Sequence, residues 1–418
     1  MRCFHIVSLA ACLFLARFTG AAEWTQFRGP AGSATSDAKN LPTKWSSQEN
    51  IAWKTDLPGP GTSSPIVVSG RVYLSCYSGY GLKPNQGDKN DLKRHLVCVD
   101  RSNGRILWTK HFDAKQPEST YSGGNNSHHG YSSSTATSDG KHLYVFFGKS
   151  GVYCFDLDGN QVWHTSVGDR ATGWGSSNSP VLYKNLVIIN ASVESGSVVG
   201  LNKTTGEEVW RYKGIQSSWN TPLLVDVPEG KTEVVVVSSG HILGLDPDSG
   251  DELWRCKAFG GYICPSPVAA NGIVYAIQGS ALAIRAGGRG DVTETNQLWQ
   301  GRGGSTVPSP VYHEGHLYWV RGGGGVYCLN AKNGETVFHD RLRPGAGGIY
   351  ASVIVADGKL YCVSQQNGTY VLAAKPEFEL LAHNVFEDDN SRTNGSPIVS
   401  GGQLLLRTDR RLYCIGKK

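Results

Sequence analysis

The sequence has one methionine, charged residues at only 18%, no Cys-x-x-Cys pair and no Cys-Cys dipeptide. Each shortage closes off a class of protein. Without paired-cysteine spacing the usual zinc frameworks are excluded. No run of Lys or Arg exceeds two residues, as at Arg410-Arg411, and the net charge is only +5, so the electrostatic footprint of a nucleic-acid binder is missing. Past the first 22 residues no segment approaches the roughly 18 consecutive apolar residues that cross a bilayer. No Gly-x-Ser-x-Gly elbow marks a hydrolase of that kind. What the chain has instead is glycine and rings. Gly 53, Tyr 18 and Trp 11 describe short strands joined by tight turns rather than a helical enzyme.

Residues 1–22 read as an export signal: Arg2 opens it, an apolar stretch runs from Phe4 to Phe18, and Gly20-Ala21-Ala22 precede Glu23. The expected location is outside the cytoplasm, in the periplasm or cell envelope. Leu9-Ala10-Ala11-Cys12 also fits a lipoprotein cleavage site, which would anchor the chain at Cys12. Among the cysteines beyond the signal, Cys98, Cys154, Cys328 and Cys414 recur at one position of a repeat, where other copies carry Gly200 or Gly244. They are expected to be small buried fillers rather than a disulfide framework. Cys256 and Cys264 are near enough in sequence to pair, although strand geometry restricts which Cβ atoms meet.

The repeat has a period of roughly 44 residues, in the range of propeller arrays. It opens on a Ser/Thr-Pro step, at Ser64-Pro65, Ser179-Pro180, Thr221-Pro222, Ser266-Pro267, Ser309-Pro310 and Ser396-Pro397, with degenerate copies at Ser134-Thr135 and Ser352-Val353. A hairpin follows each step, for example SPVAANGIVYAI or SPVYHEGHLYWV. Then comes a strand, a polar turn and a strand with tryptophan, as in CVDRSNGRILW, GLNKTTGEEVW and GLDPDSGDELW. In that turn Asp100, Asn202, Asp246 and Asn330 are suited to accept backbone N–H groups, while Gly104, Gly206, Gly250 and Gly334 are suited to positive φ. Trp108, Trp163, Trp210, Trp254 and Trp299 fall once per unit, where a large ring fills the wedge between adjacent sheets. Eight four-stranded antiparallel units imply an all-β fold, an eight-bladed β-propeller. The degenerate seventh unit, with KPEFELLAHNVF in place of its tryptophan strand, leaves seven blades as the alternative count. The last unit stops one strand short, and residues 50–55, NIAWKT, carry the missing pattern, so an N-terminal strand is expected to complete the last blade. The expected layout is a signal peptide at 1–22, an N-terminal extension at 23–49 and a propeller at 50–418.

The Asp/Asn-x-x-x-Gly-x-x-x-Trp unit resembles the tryptophan-docking repeat of pyrroloquinoline quinone (PQQ) dehydrogenases. It is also similar to the repeat of the propeller lipoprotein of the outer-membrane barrel-assembly machine. The opening EWTQFRGPAG and the following LPTKWSSQENIAWKTDLPGPGTSSP are similar to exported PQQ-like repeat proteins of bacteria. The resemblance implies that ligands and partners engage the face where the last strand of one blade crosses to the first strand of the next. On those crossings the candidate rim residues are His128, His129, Tyr131, Trp174, Trp219, Asn220, Tyr262, Arg302, Tyr350, Arg392 and Asn394. For the quinone enzymes of the family it implies PQQ over a calcium ion held by carboxylate and amide oxygens, an Asp base and, in many, a vicinal disulfide.

The crossing segments 59–62, 125–131, 173–176, 217–220, 261–263, 302–305, 348–350 and 391–394 carry no Asp or Glu, while calcium takes six to eight oxygens with acids among them. The expected function is therefore a non-catalytic scaffold without cofactor or metal, the alternative being a PQQ-dependent oxidoreductase with PQQ and calcium in the central channel. Adjacent histidines such as His128-His129 suit metal binding or proton shuttling, yet no carboxylate or Cys stands beside them. The glycine runs at Gly322–Gly325 and Gly287-Gly288-Arg289-Gly290 lack the helix and the Lys-Ser/Thr that complete a phosphate cradle. Two insertions, residues 77–95 and 113–130, lengthen loops of the first blade and are the expected surface for protein partners, with a small ligand as a further occupant of the channel.

Overall fold

The computed structural model describes residues 23–122 and 126–417. The expected export signal with Cys12 lies outside the described residues, as do residues 123–125 of the second insertion. Eight antiparallel blades surround one axis, including the degenerate seventh, whose fourth strand is Leu380–Asn384. In the first blade Ile66–Val68 lies nearest the axis and Ile106–Asp113 outermost. Apolar residues alternate across both faces of each sheet, so every blade buries its two sides against its neighbours, as a lone twisted sheet cannot. Cys98, Cys154, Cys328 and Cys414 are buried free thiols on the third strands, and Cys256 and Cys264 are free as well.

Ring closure follows from the strand the last unit lacks. Ile51–Asp56 pairs antiparallel with Arg411–Ile415, with Trp53 opposite Cys414, and completes the eighth blade. Two buried arginines lock the joint with the first blade. Arg407 of blade eight donates from Nη1 to Ser75 O of blade one at 2.7 Å, and Arg101 of blade one donates from Nη2 to Ser400 O of blade eight at 2.6 Å.

The tryptophans join blade to blade by a hydrogen bond as well as by area. Trp53, Trp163, Trp210 and Trp299 each donate from Nε1 to a carbonyl in the third turn of the next blade, at Arg101, Lys203, Pro247 and Ala331, over 3.0–3.1 Å. The turn glycine has two duties there. At Gly250 φ is +77°, and a Cβ would stand 2.5 Å from the Trp210 ring. Trp254 departs from the pattern because the corresponding connection of blade five is lengthened. Residues Gly290–Asp291 of that connection add a short parallel strand to the outer edge of blade four, and Trp254 Nε1 donates instead to Glu233 of its own blade at 2.7 Å. Trp108 faces the shortened CFDLDGNQ turn, and its Nε1 finds no protein partner.

The segment before the first blade lies across one end of the axis. Trp24 and Val67 exchange backbone hydrogen bonds, Ser138 N–H donates to Thr25 O, and Val355 N–H donates to Ala34 O. Arg28, 3% exposed, donates to Pro310 O, so residues 24–34 span blades one, two, six and seven. Farther on, Trp45 packs on Tyr361 and the chain reaches the eighth blade.

Candidate functional site

The Ser/Thr of each repeat's opening step forms a ring around the axis. Ser64 N–H donates to Thr135 Oγ1, Thr135 to Ser179, Ser179 to Thr221 and Thr221 to Ser266. Ser266 N–H then donates to Ser309 Oγ, Ser309 to Ser352 and Ser352 to Ser396, all at 2.9–3.0 Å. Blades one to seven thus each have an inner-strand N–H capped by the next blade's hydroxyl. In the second blade the hydroxyl is that of Thr135, one residue beyond Ser134, which the degenerate step places first. Without a proline the sequence alone leaves that register open.

Because the inner strands are extended, the residue two positions before each ring member faces the axis too. This upper tier is divided. Thr62, Ser133, Ser177 and Asn394 form one side, and Trp219, Cys264, Val307 and Tyr350 the other. The two tiers enclose a cavity of about 230 Å³. Phe27 closes it at the end crossed by the N-terminal segment, while Trp174 and Tyr262, 45% and 53% exposed, stand at the open mouth.

Seven of the eleven candidate rim residues meet at this mouth. Trp174, Trp219, Tyr262, Tyr350, His129 and Asn394 line the cavity, and the His128 ring lies between Trp174 and Tyr350, its centroid 6.0 and 5.9 Å from theirs. Asn394 Nδ2 donates to His128 O at 2.6 Å, and Arg392 donates to Ser127 O. The second insertion therefore reaches across the mouth to blade eight. Burial pushes the His129 imidazole down to about 4, so the ring is neutral at pH 7. Its Nε2–H donates to Trp174 O at 2.5 Å, which leaves Nδ1 to accept from Ser133 Oγ at 2.7 Å.

The other candidates take different places. Tyr131 is no rim residue: its ring packs edge-on against Tyr77 and its hydroxyl donates to Ser119 O at 2.6 Å. Asn220 is fully buried and acts as a clamp, its Nδ2 donating to Val237 O at 2.6 Å while its Oδ1 accepts Val237 N–H. Arg302 is exposed and outside the cavity lining, because its crossing reaches the cavity only at Thr306 and Val307, past two glycines. Arg392 sits behind the rim with its Nε 3.1 Å from Asp409 Oδ2.

Acids do stand behind the crossings, delivered by loops that repeat analysis does not align. Asp409 comes from the turn after the second strand of blade eight, and burial raises its carboxyl against the pull of Arg392 and Arg407. Glu118 of the second insertion pairs with Arg94 at 2.7 Å with both side chains buried. Glu194, 1% exposed, accepts from Ser176 Oγ, while its Oε2 has no protein partner. Burial lifts its carboxyl to about 7, above the 4.5 expected when unfolded. Folding therefore retains a proton that the unfolded chain releases as pH rises from about 4.5 to about 7, and stability falls across that window. Relative to the parent, Glu194→Gln is expected to be stabilised by about 3 kcal/mol at pH 8 and by little at pH 4.5. Urea unfolding at both pH values measures this, and a difference that does not change with pH would contradict it.

None of these acids lines the cavity, and among the described residues no group of three or more His, Cys, Asp and Glu could hold a metal. The polar groups of the channel, hydroxyls with one amide, one thiol and an imidazole whose two nitrogens are both engaged, include no carboxylate and do not fit a calcium-bound quinone.

A closed ring of eight blades, docked by tryptophan and capped by a hydroxyl girdle, is a propeller of the quinoprotein repeat type. The chain belongs to the family described as outer membrane protein assembly factor BamB, which matches residues 92–308 and 290–417. Among solved structures it is similar to BamB from Moraxella catarrhalis, at 14% identity and a TM-score of 0.61 over 87% of this chain and 98% of that one. It is also similar to a europium-containing methanol dehydrogenase, at 11% identity and a TM-score of 0.68 over 95% and 98% of the two chains. The quinohemoprotein alcohol dehydrogenase of Comamonas testosteroni gives 12% identity and a TM-score of 0.66 over 95% and 81%. At these identities the likeness shows the fold, which enzymes and an assembly factor share. No curated protein sequence matches the chain.

Proposed function

We propose that the protein is an exported, non-catalytic scaffold that holds a protein partner on the loops of its first blade. The observation that carries this reading is that the two insertions fold on each other as one platform. Tyr77, Tyr80, Leu92, Ala114, Tyr121 and Tyr131 form their shared core. Tyr121 N–H donates to Tyr80 Oη at 3.0 Å, and the buried Arg94–Glu118 pair underpins them. Ordered loops of this length cost conformational entropy that a merely tolerated insertion need not meet. Leu82 stands 55% exposed on the platform. The family description, an assembly factor, supports the same reading, as does a channel whose donors do not suit calcium.

Two measurements test it. Calorimetric titration of PQQ with calcium into the purified full chain, followed by a dye-linked alcohol oxidation assay, is expected to give neither saturable binding nor turnover. One-to-one binding with turnover would replace the scaffold with an oxidoreductase. A photo-crosslinking side chain at position 82 is expected to trap one discrete partner in cells, and one at the outer-edge position 209 is not. Equal trapping at both would reject the platform.

A further inference from the structure

The channel offers a second and independent opportunity for recognition. Its lining carries no carboxylate, amine or guanidinium. Burial keeps its titratable side chains from carrying charge at neutral pH, holding His129 near 4, lifting the Cys264 thiol to about 12 and raising the Tyr350 phenol. A charged ligand would surrender its hydration without gaining an ionic partner, so the cavity selects a neutral one. At about 230 Å³ it lies below the usual span of drug-sized pockets, roughly 300–1,000 Å³, and suits a single ring rather than an extended molecule.

The division of the upper tier adds a shape requirement. One side offers the indole of Trp219 and the ring of Tyr350 around Val307, and the other offers three hydroxyls and an amide. Below both, seven of the girdle hydroxyls, those of Thr135, Ser179, Thr221, Ser266, Ser309, Ser352 and Ser396, already accept a neighbouring backbone N–H, which leaves their own protons free to donate. A phenol or an alkyl group would satisfy the apolar side and leave these donors without acceptors. The upper-tier hydroxyls have already placed their protons, Thr62 on Ser133 Oγ, Ser133 on His129 Nδ1 and Ser177 on Trp219 O, and so offer lone pairs. A ring with an apolar face and several hydroxyls along its edge, each both donor and acceptor, satisfies all of these. We infer that the channel is a binding site for one uncharged pyranose unit, its apolar face on Trp219 and Tyr350 and its hydroxyl edge toward Thr62, Ser133 and Ser177. Entry is from the mouth beside Trp174 and Tyr262, because Phe27 and the N-terminal segment close the other end. The inference stands on the cavity alone and does not depend on the partner platform.

Saturation-transfer difference NMR on the purified full chain tests it, with D-glucose and N-acetyl-D-glucosamine as probes and D-glucuronate and p-cresol as comparators. Transfer to the ring protons of at least one neutral sugar is expected, with a Kd on the order of 1 mM. D-glucuronate is expected to bind at least tenfold more weakly. Trp219→Ala should weaken sugar binding at least tenfold, Trp219→Phe should restore most of it, and Val307→Phe should abolish it by filling the cavity, with melting midpoints recorded to show that each variant is folded. No transfer to either neutral sugar well above that concentration would overturn the inference. So would sugar binding that Val307→Phe leaves unchanged, or p-cresol binding more tightly than both sugars.

Discussion

Deletion of residues 50–56 is expected to leave a chain with no cooperative thermal transition. The segment supplies the fourth strand of blade eight, and its loss bares the edge of Arg411–Ile415. It also removes Trp53, whose ring covers Gly104 and whose Nε1 reaches Arg101 O in blade one. With Arg101 no longer held from above, its own donations to Ser400 O and Gln403 Oε1 lose their template, so the whole joint between first and last blades fails together. An open ring also exposes the apolar faces of two blades, each of them fully buried at Val72, Val97, Leu405 and Leu412. Calorimetry of the deletion beside Trp53→Ala separates strand from ring. The point variant keeps the backbone ladder and should still melt cooperatively, at a lower midpoint. A deletion that melts at the parent's midpoint would show that the propeller closes without its N-terminal strand.

The second large effect is at Trp254, fully buried between blades four and five. Trp254→Ala is expected to cost about 4 kcal/mol, from lost area and the cavity left behind. It also strips one donor from Glu233, which would keep Gly287 N–H and Arg289. Trp108→Ala should cost about 1 kcal/mol, because that ring is partly exposed and its Nε1 has no protein partner. Urea midpoints of the two variants measured side by side decide this. Equal losses would mean that the docking pattern carries no weight of its own.

The contrast between these tryptophans shows what a repeat does and does not reveal. Blade count, the closing strand and the buried cysteines were legible because each is a position that eight copies of one pattern specify. Turn glycines were legible as positive-φ sites, while the neighbour's ring that covers Gly250 was not, since contact between blades leaves no periodic mark of its own. The Ser/Thr of the opening step read as punctuation, although its hydroxyl is the inward-facing girdle of the channel. Features outside the period were the hardest. Trp24, Phe27 and Arg28 sit in an extension with no copy to compare, and Glu118, Glu194 and Asp409 come from loops of unequal length. Tyr131 and Asn220 lie on crossings as expected, but their side chains turn into the blades, because an extended strand sends alternate residues to opposite sides.

The strand that closes the ring also sets a timetable. Ile51–Asp56 leaves the ribosome long before its partner Arg411–Ile415, so it has no sheet to join until the eighth blade is made. Joining ends so far apart costs about 3 kcal/mol more in chain entropy than closing a ten-residue hairpin, and gives no return until all eight blades are stacked. Until then the chain carries two unpaired edges at once, its own most adhesive surfaces. A cell that makes this protein must therefore shield one short segment until the eighth blade exists, and the ring becomes safe only when those two strands meet.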